Sequence, residues 1–408
     1  MKKIIVNGGN PLKGEISVSG SKNAALPIIF SCILTNGVSE IENLPLIGDV
    51  EVALSILSSF GAKIERRGDL TLIDTRSLSY QIPDARLTSK IRASTYLLGS
   101  CLSRFGRCHI QAFGGCNFSA RPIDMHIDAC LSLGGKMDGD VIKADRLQGG
   151  EIRFSKASVG ATVNAILLAA CARGETHIYG SAVEPHIDAL IAFLNSCGAQ
   201  ILRQGRELHI IGRELRGGKI KVIGDMIEAG SYMTLGLMCG GRIAVKNAPI
   251  EDMTSFIDAV SCVGAEIFTS SGTILSRLTS KNHISITTSP YPGFPTDLQP
   301  IIAPLMATCS GGEITEVVWP DRFGYLKALS AFGISSTVIN NRAIIYSSKI
   351  HSGLATSPDL RGGMACLITA LATRGQSEIS SLDTILRGYE NLEQKLRALG
   401  ADIKIEDT

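Results

Sequence analysis

Phe60-Gly61-Ala62-Lys63-Ile64 closes an apolar-periodic stretch, and similar strings recur five more times. They are Leu133-Gly134-Gly135-Lys136-Met137, Cys197-Gly198-Ala199-Gln200-Ile201, Val263-Gly264-Ala265-Glu266-Ile267, Phe332-Gly333-Ile334-Ser335 and Leu399-Gly400-Ala401-Asp402-Ile403. Their first glycines lie 73, 64, 66, 69 and 67 residues apart. A constant period of this kind marks a repeated structural unit. Six copies account for the 408 residues. Glycine at the end of a helical pattern supplies the left-handed residue with which helices stop.

A second helical pattern precedes each string and also runs into glycine, at Gly37, Gly106, Gly174, Gly241, Gly312 and Gly375. Its body is apolar nearly all round, as in Ala165-Ile166-Leu167-Leu168-Ala169-Ala170. Such a helix belongs inside the protein. Alternating runs such as Glu15 to Ser19 and Ile284 to Thr288 read as strands. One repeat therefore reads strand, buried helix, strand, exposed helix, strand, strand. Six of them predict an α/β protein of two domains, three repeats each, with buried helices inside and sheets outside. Ile4-Ile5-Val6 and Glu15 to Ser19 precede the first repeat and are free to complete a sheet elsewhere.

A chain of this length exceeds one ordinary core. Hydrophobic residues make up 45% and charged residues 19%, the balance of a globular protein. The net charge of +2 gives no bulk reason to expect nucleic acid. The opening MKKIIVNGGNPLKGE reaches Asn7 after three apolar residues and predicts no secretory signal. No apolar run reaches the ~18 residues of a membrane span. Eleven cysteines, an odd number, predict reduced cytoplasmic thiols. No CxxC or clustered His/Cys spacing predicts a metal or other cofactor.

The buried helices are expected to start at Ser21, Ser89, Ser158, Asp225, Thr296 and Ser357, all N-cap residue types. Lys22, Arg92, Asp297, Asp359 and Arg361 lie beside these starts. Helix N-termini attract phosphates and carboxylates. Two such faces opposed across a cleft would suit a strongly anionic substrate. The loop Gly114-Gly115-Cys116-Asn117-Phe118-Ser119-Ala120-Arg121 places a thiol among small residues, five positions before a cation. An arginine near a thiol favours the thiolate.

Together, Gly20-Ser21-Lys22-Asn23-Ala24-Ala25-Leu26-Pro27, the Gly114 to His126 loop, Ser158-Val159-Gly160-Ala161-Thr162, Phe294-Pro295-Thr296-Asp297, Asp359-Leu360-Arg361 and Arg387-Gly388-Tyr389-Glu390 resemble the UDP-N-acetylglucosamine 1-carboxyvinyltransferase family. The resemblance spans essentially the whole chain, in order. It implies the enolpyruvyltransferase fold, with residues 22–225 in one domain and 1–21 with 226–408 in the other. It implies transfer of the enolpyruvyl group of phosphoenolpyruvate to the 3-hydroxyl of UDP-N-acetylglucosamine, by addition and elimination, without metal, membrane or nucleic acid.

By the same resemblance Lys22, Arg121 and Arg387 hold the phosphate and carboxylate, with Arg92 and Arg361 close by. Asp297 is the base facing the hydroxyl. Cys116 is the loop thiol, a proton donor and the target of fosfomycin. Arg121, Pro122, Ile123, Asp124 and Met125 receive the uridine. Lys156, Ser158, Val159 and Gly160 receive the diphosphate, and Asn23 and Val318 the acetamido group. Arg322 and Glu184 match family positions, and Asp359 and Arg361 read as an ion pair. Ser119, Met226, the Trp319 to Tyr325 segment and Gly362-Gly363-Met364 depart from the family pattern. A paralogue acting on another uridine nucleotide, or a non-catalytic UDP-sugar binder, remains open at this point.

Overall fold

The computed structural model describes residues 2–110, 114 and 122–407. Cys116, Ser119 and Arg121 fall outside the described residues. The chain divides into two compact units, Met1–Ser19 with Gly224–Thr408, and Gly20–Ile223.

The Gly20–Ile223 unit is built on three buried helices, Lys22–Ser31, Leu97–Phe105 and Val159–Ala169. All nine residues from Ala161 to Ala169 are buried. Each fully buried Leu, Ile or Val contributes about 1.5–3 kcal/mol, which suits a helix with no polar face. Three sheets belong to this unit. One orders Lys219–Lys221, Val38–Glu42, Leu70–Asp74 and Lys63–Arg67; another Gln200–Gln204, Glu207–Ile211, Glu175–Tyr179 and Glu151–Arg153. The third has three strands among the described residues, Arg107–His109, Val141–Lys143 and Lys136–Asp138.

The other unit repeats the plan around Met226–Cys239, Gln299–Thr308 and Leu360–Ala372. Here Ile284–Thr287 runs parallel to Gly312–Thr315, and Leu354–Thr356 to Gly375–Ser380. A buried helix makes each crossover, the usual connection for parallel strands. Lys2–Gly8 lies between Gly375–Ser380 and Asp402–Asp407, antiparallel to both. Lys13–Ser17 pairs in parallel with Arg242–Lys246. The strands before the first repeat thus complete sheets with residues from far down the chain.

The glycine rule holds at all six exposed-helix ends. Gly61, Gly134, Gly198, Gly264, Gly333 and Gly400 have φ between 83° and 117°. The buried helices follow it less regularly: Gly106, Gly174 and Gly375 are left-handed, Gly240 and Gly311 take that role beside Gly241 and Gly312, and Gly37 is not left-handed.

The expected caps hold in part. Asp225 accepts from the amides of Ile227 and Glu228, and Ser158 from that of Ala161. Ser21 occupies the cap position without a side-chain hydrogen bond. Ser89 instead ends the short helix Ala85–Thr88, and the buried helix beyond it begins as a 3-10 turn at Arg92. Thr296 is the first residue of a 3-10 turn, and Asp359 replaces Ser357 as the cap.

Candidate functional site

In the Met1–Ser19 and Gly224–Thr408 unit, Asp297 stands in the 3-10 turn Thr296–Leu298 that opens the buried helix Gln299–Thr308. Its Oδ1 accepts from Arg322 Nη1 at 2.7 Å and its Oδ2 from Arg361 Nε at 3.2 Å. Both arginine side chains are buried, 6% and 3% exposed, while the carboxylate is 29% exposed. The carboxylate is thus more exposed than the two cations that hold it.

Arg361 Nη1 and Nη2 are buried without a hydrogen-bond partner. Burial acts to lower the Arg361 pKa, but Tyr389, Asp297 and Asp225 outweigh it, and the net direction is up. Its guanidinium carbon lies 5.6 Å from the centre of the Tyr389 ring. Tyr389 in turn shares a 2.7 Å hydrogen bond with Ser231. Arg387 closes the short helix Leu382–Leu386, and Gly388 lies so close to Leu360 that a Cβ would sit 2.6 Å from Leu360 Cδ1.

Asp359 takes a different role from the ion pair expected of it. Its Oδ1 accepts from the backbone amides of Arg361 and Gly362 at 2.9 and 3.0 Å, while the Arg361 side chain turns to Asp297. The carboxylate is a helix cap, which fixes where Arg361 begins its helix.

Glu316 was not singled out from the sequence. It is fully buried, and its carboxylate accepts from Thr288 Oγ1 (2.7 Å), Thr296 Oγ1 (2.8 Å) and the amides of Val318 and Trp319 (both 2.9 Å). One side chain therefore ties the turn carrying Asp297 to the segment carrying Val318.

The Gly20–Ile223 unit gathers a second set. Lys22 opens its helix and pairs with Asp49 at 3.3 Å. Asn23 is the next residue and half-buried. Arg92 is half-buried in its 3-10 turn, where burial lowers its pKa. Pro122 and Ile123 lead into the helix Asp124–Ser132, with Asp124 exposed and Met125 half-buried. Lys156 is exposed, and Ser158, Val159 and Gly160 form the start of the helix Val159–Ala169.

His126 links these last two helices. Asn164 Oδ1 accepts from the Gly99 amide at 2.7 Å, which orients the side-chain amide. Its Nδ2 then points at His126 Nδ1, 2.7 Å away, so Nδ1 is the acceptor and the proton sits on Nε2. That edge faces Gly160, where an added Cβ would lie 3.1 Å from Nε2. Burial first, and the Arg92 charge second, pull the His126 pKa down from 6.5 to about 4. The imidazole is neutral at physiological pH and presents an N–H beside a helix N-terminus.

All ten cysteines among the described residues are free. No helix among the described residues is long and apolar enough to cross a membrane.

The arrangement matches solved enolpyruvyl transferases in fold. The enolpyruvyl transferase NikO from Streptomyces tendae superposes with a TM-score of 0.89 at 24% identity, covering 100% of this chain and 99% of that one. An EPSP synthase from Acinetobacter baumannii gives 0.73 at 17% identity with full coverage of both. A family model described as EPSP synthase (3-phosphoshikimate 1-carboxyvinyltransferase) matches residues 6–396. UDP-N-acetylglucosamine 1-carboxyvinyltransferase 2 of Clostridium acetobutylicum is 39% identical over 100% of both chains. UDP-N-acetylglucosamine 1-carboxyvinyltransferase 2 of Streptococcus mutans serotype c is 37% identical over 99% of both. The chain belongs to the enolpyruvyltransferase family and, within it, to the UDP-N-acetylglucosamine 1-carboxyvinyltransferases.

Proposed function

We propose that this enzyme transfers the enolpyruvyl group of phosphoenolpyruvate to the 3-hydroxyl of UDP-N-acetylglucosamine, releasing phosphate, as a cytoplasmic step committed to peptidoglycan synthesis. The observation that carries the chemistry is the Asp297 carboxylate, 29% exposed and held by Arg322 and Arg361. A base fixed in this way is pre-positioned, and general-base help is worth roughly 10²–10⁴-fold.

In the addition step the hydroxyl oxygen bonds to C2 of phosphoenolpyruvate, Asp297 takes the hydroxyl proton, and C3 gains a proton from Cys116. The product is a tetrahedral ketal bearing carboxylate and phosphate. In the elimination step C3 loses a proton, the C2–O bond to phosphate breaks, and the double bond returns. Lys22, Arg121 and Arg387 neutralise the phosphate and carboxylate, aided by Arg92 and Arg361. Arginine suits planar oxyanions, and Lys22 acts as a point charge.

On the acceptor, Arg121, Pro122, Ile123, Asp124 and Met125 read the uridine. Lys156 and the amides of Ser158, Val159 and Gly160 hold the diphosphate, as helix N-termini do. Asn23 and the Val318 backbone pair with the acetamido group.

Phosphate release from phosphoenolpyruvate, measured with UDP-N-acetylglucosamine, UDP-glucose and UMP, tests the assignment. The expected kcat/KM is highest for UDP-N-acetylglucosamine, because buried polar groups left unpaired penalise the other acceptors. UMP equal to or better than the nucleotide sugar would move the enzyme to another uridine acceptor. No release with any acceptor would make it a UDP-sugar binder.

A further inference from the structure

We propose that Glu175, His177 and His209 form a binding site for a divalent transition ion of the zinc class, on the outer face of a sheet in the Gly20–Ile223 unit. Glu175 and His177 are two apart on the strand Glu175–Tyr179 and so project from the same face. Thr176 and Ile178, which alternate with them, are buried in the core, which fixes the direction of the pair. His209 lies on the neighbouring antiparallel strand, directly opposite His177 in register. The three residues are thus placed by backbone pairing and not by flexible loops.

The side chains already converge. His209 Nε2 is 3.0 Å from Glu175 Oε2. The two imidazoles stack with centroids 4.6 Å apart and planes 17° from parallel. One ligand atom from each residue lies within 4.8 Å of the others. Zinc–nitrogen bonds of ~2.0–2.1 Å place neighbouring ligand atoms about 3.3 Å apart in a tetrahedron. Small side-chain rotations reach that spacing, and the sheet need not move.

The donor set selects the ion. Two imidazoles and one carboxylate suit zinc, copper or nickel, whereas magnesium and calcium prefer all-oxygen shells. Three protein ligands leave at least one position for water or an outside group. Beside the site, Arg153 stacks on Tyr179 at 4.0 Å and is paired with Glu151, which keeps its charge occupied. None of these residues belongs to the substrate site proposed above.

Cobalt(II) titration of the full chain, followed by visible absorption, tests this directly. The expected result is one cobalt per chain with ligand-field bands and no thiolate charge-transfer band, displaced by zinc but not by magnesium. His177→Ala and His209→Ala should each abolish that binding, with thermal melting unchanged. Absence of binding in the parent chain would overturn the proposal. So would a thiolate band, or binding that survives both substitutions.

Discussion

Tyr325 occupies the space that a side chain at position 362 would need: a Cβ added to Gly362 would lie 2.7 Å from Tyr325 Cβ. Tyr325 is 1% exposed, and Gly362 sits in the first turn of the buried helix Leu360–Ala372. The Trp319 to Tyr325 and Gly362-Gly363-Met364 stretches both depart from the family pattern. The two stretches thus meet at this point, next to Arg361.

Gly362→Ala should therefore destabilise the protein. Helix propensity favours alanine by about 1 kcal/mol. Overpacking costs about 1–3 kcal/mol, and Pro358 Cγ, 2.8 Å from the added Cβ, blocks a second direction of relief. A urea midpoint below that of the parent chain is expected. A higher midpoint would mean that the helix head yields freely.

Asp297→Asn should fold but lose turnover by ~10²–10⁴-fold, the usual weight of a general base. The carboxamide can still accept from Arg322 yet cannot take a proton. Steady-state phosphate release and circular dichroism on the same sample separate chemistry from folding. Near-normal turnover would reduce Asp297 to a partner of the two arginines.

Glu316→Gln should lower stability by about 1.5–3 kcal/mol, the range for hydrogen bonds to a charged group. A glutamine amide turns one acceptor oxygen into a donor, facing either the Thr288 hydroxyl and the amides of Val318 and Trp319, or the Thr296 hydroxyl and the Gln299 side-chain amide. Equilibrium unfolding reads the loss. KM for the nucleotide sugar should rise as well, since the Val318 segment loses its anchor.

His126 predicts a pH dependence. Its folded pKa of about 4 lies below the ordinary 6.5, so the unfolded chain binds the proton more readily. Stability is complete above pH ~6.5 and falls as pH drops toward ~4, by about 3 kcal/mol in total. The difference in unfolding free energy between the parent chain and His126→Gln, followed from pH 7.5 to 4.5, should shrink along that window. A constant difference would show that the imidazole titrates alike in both states.

Cys116 should be the thiol that fosfomycin labels in the presence of nucleotide sugar. Burial pushes the Cys130, Cys171, Cys197, Cys239 and Cys366 thiols up to about 12, leaving little thiolate. Cys262 is the exposed thiol among the described residues and serves as the internal control. Peptide mass mapping should find one adduct at Cys116; an adduct at Cys262 instead would refute the assignment.

The repeat architecture was readable because glycine carries it. Only glycine takes a φ near 100° without strain, so each exposed helix ends at a visible mark. The caps were less readable, because serine, threonine and aspartate compete for the same post within a few residues. The Thr296 hydroxyl donates to Glu316, and that of Ser357 to the Asp359 carbonyl, so neither caps the helix beside it. Glu316 was missed because its tie to the Asp297 turn runs through residues 288 and 296, far away in sequence, while its bonds to the amides of Val318 and Trp319 are local. The same holds for His177 and His209, which are brought together by strand register alone.

The strand Lys2–Gly8 takes its neighbours from Gly375–Ser380 and Asp402–Asp407. On a ribosome, that strand emerges long before residues 375–407 and must wait for them before its sheet can close. Gly20–Ile223 is continuous and has its own core, so it can fold while synthesis proceeds. Pairing across so great a sequence separation is slow to form. The unit bearing Asp297 thus matures after Gly20–Ile223, and Lys2–Gly8 stays unpartnered on the nascent chain until then.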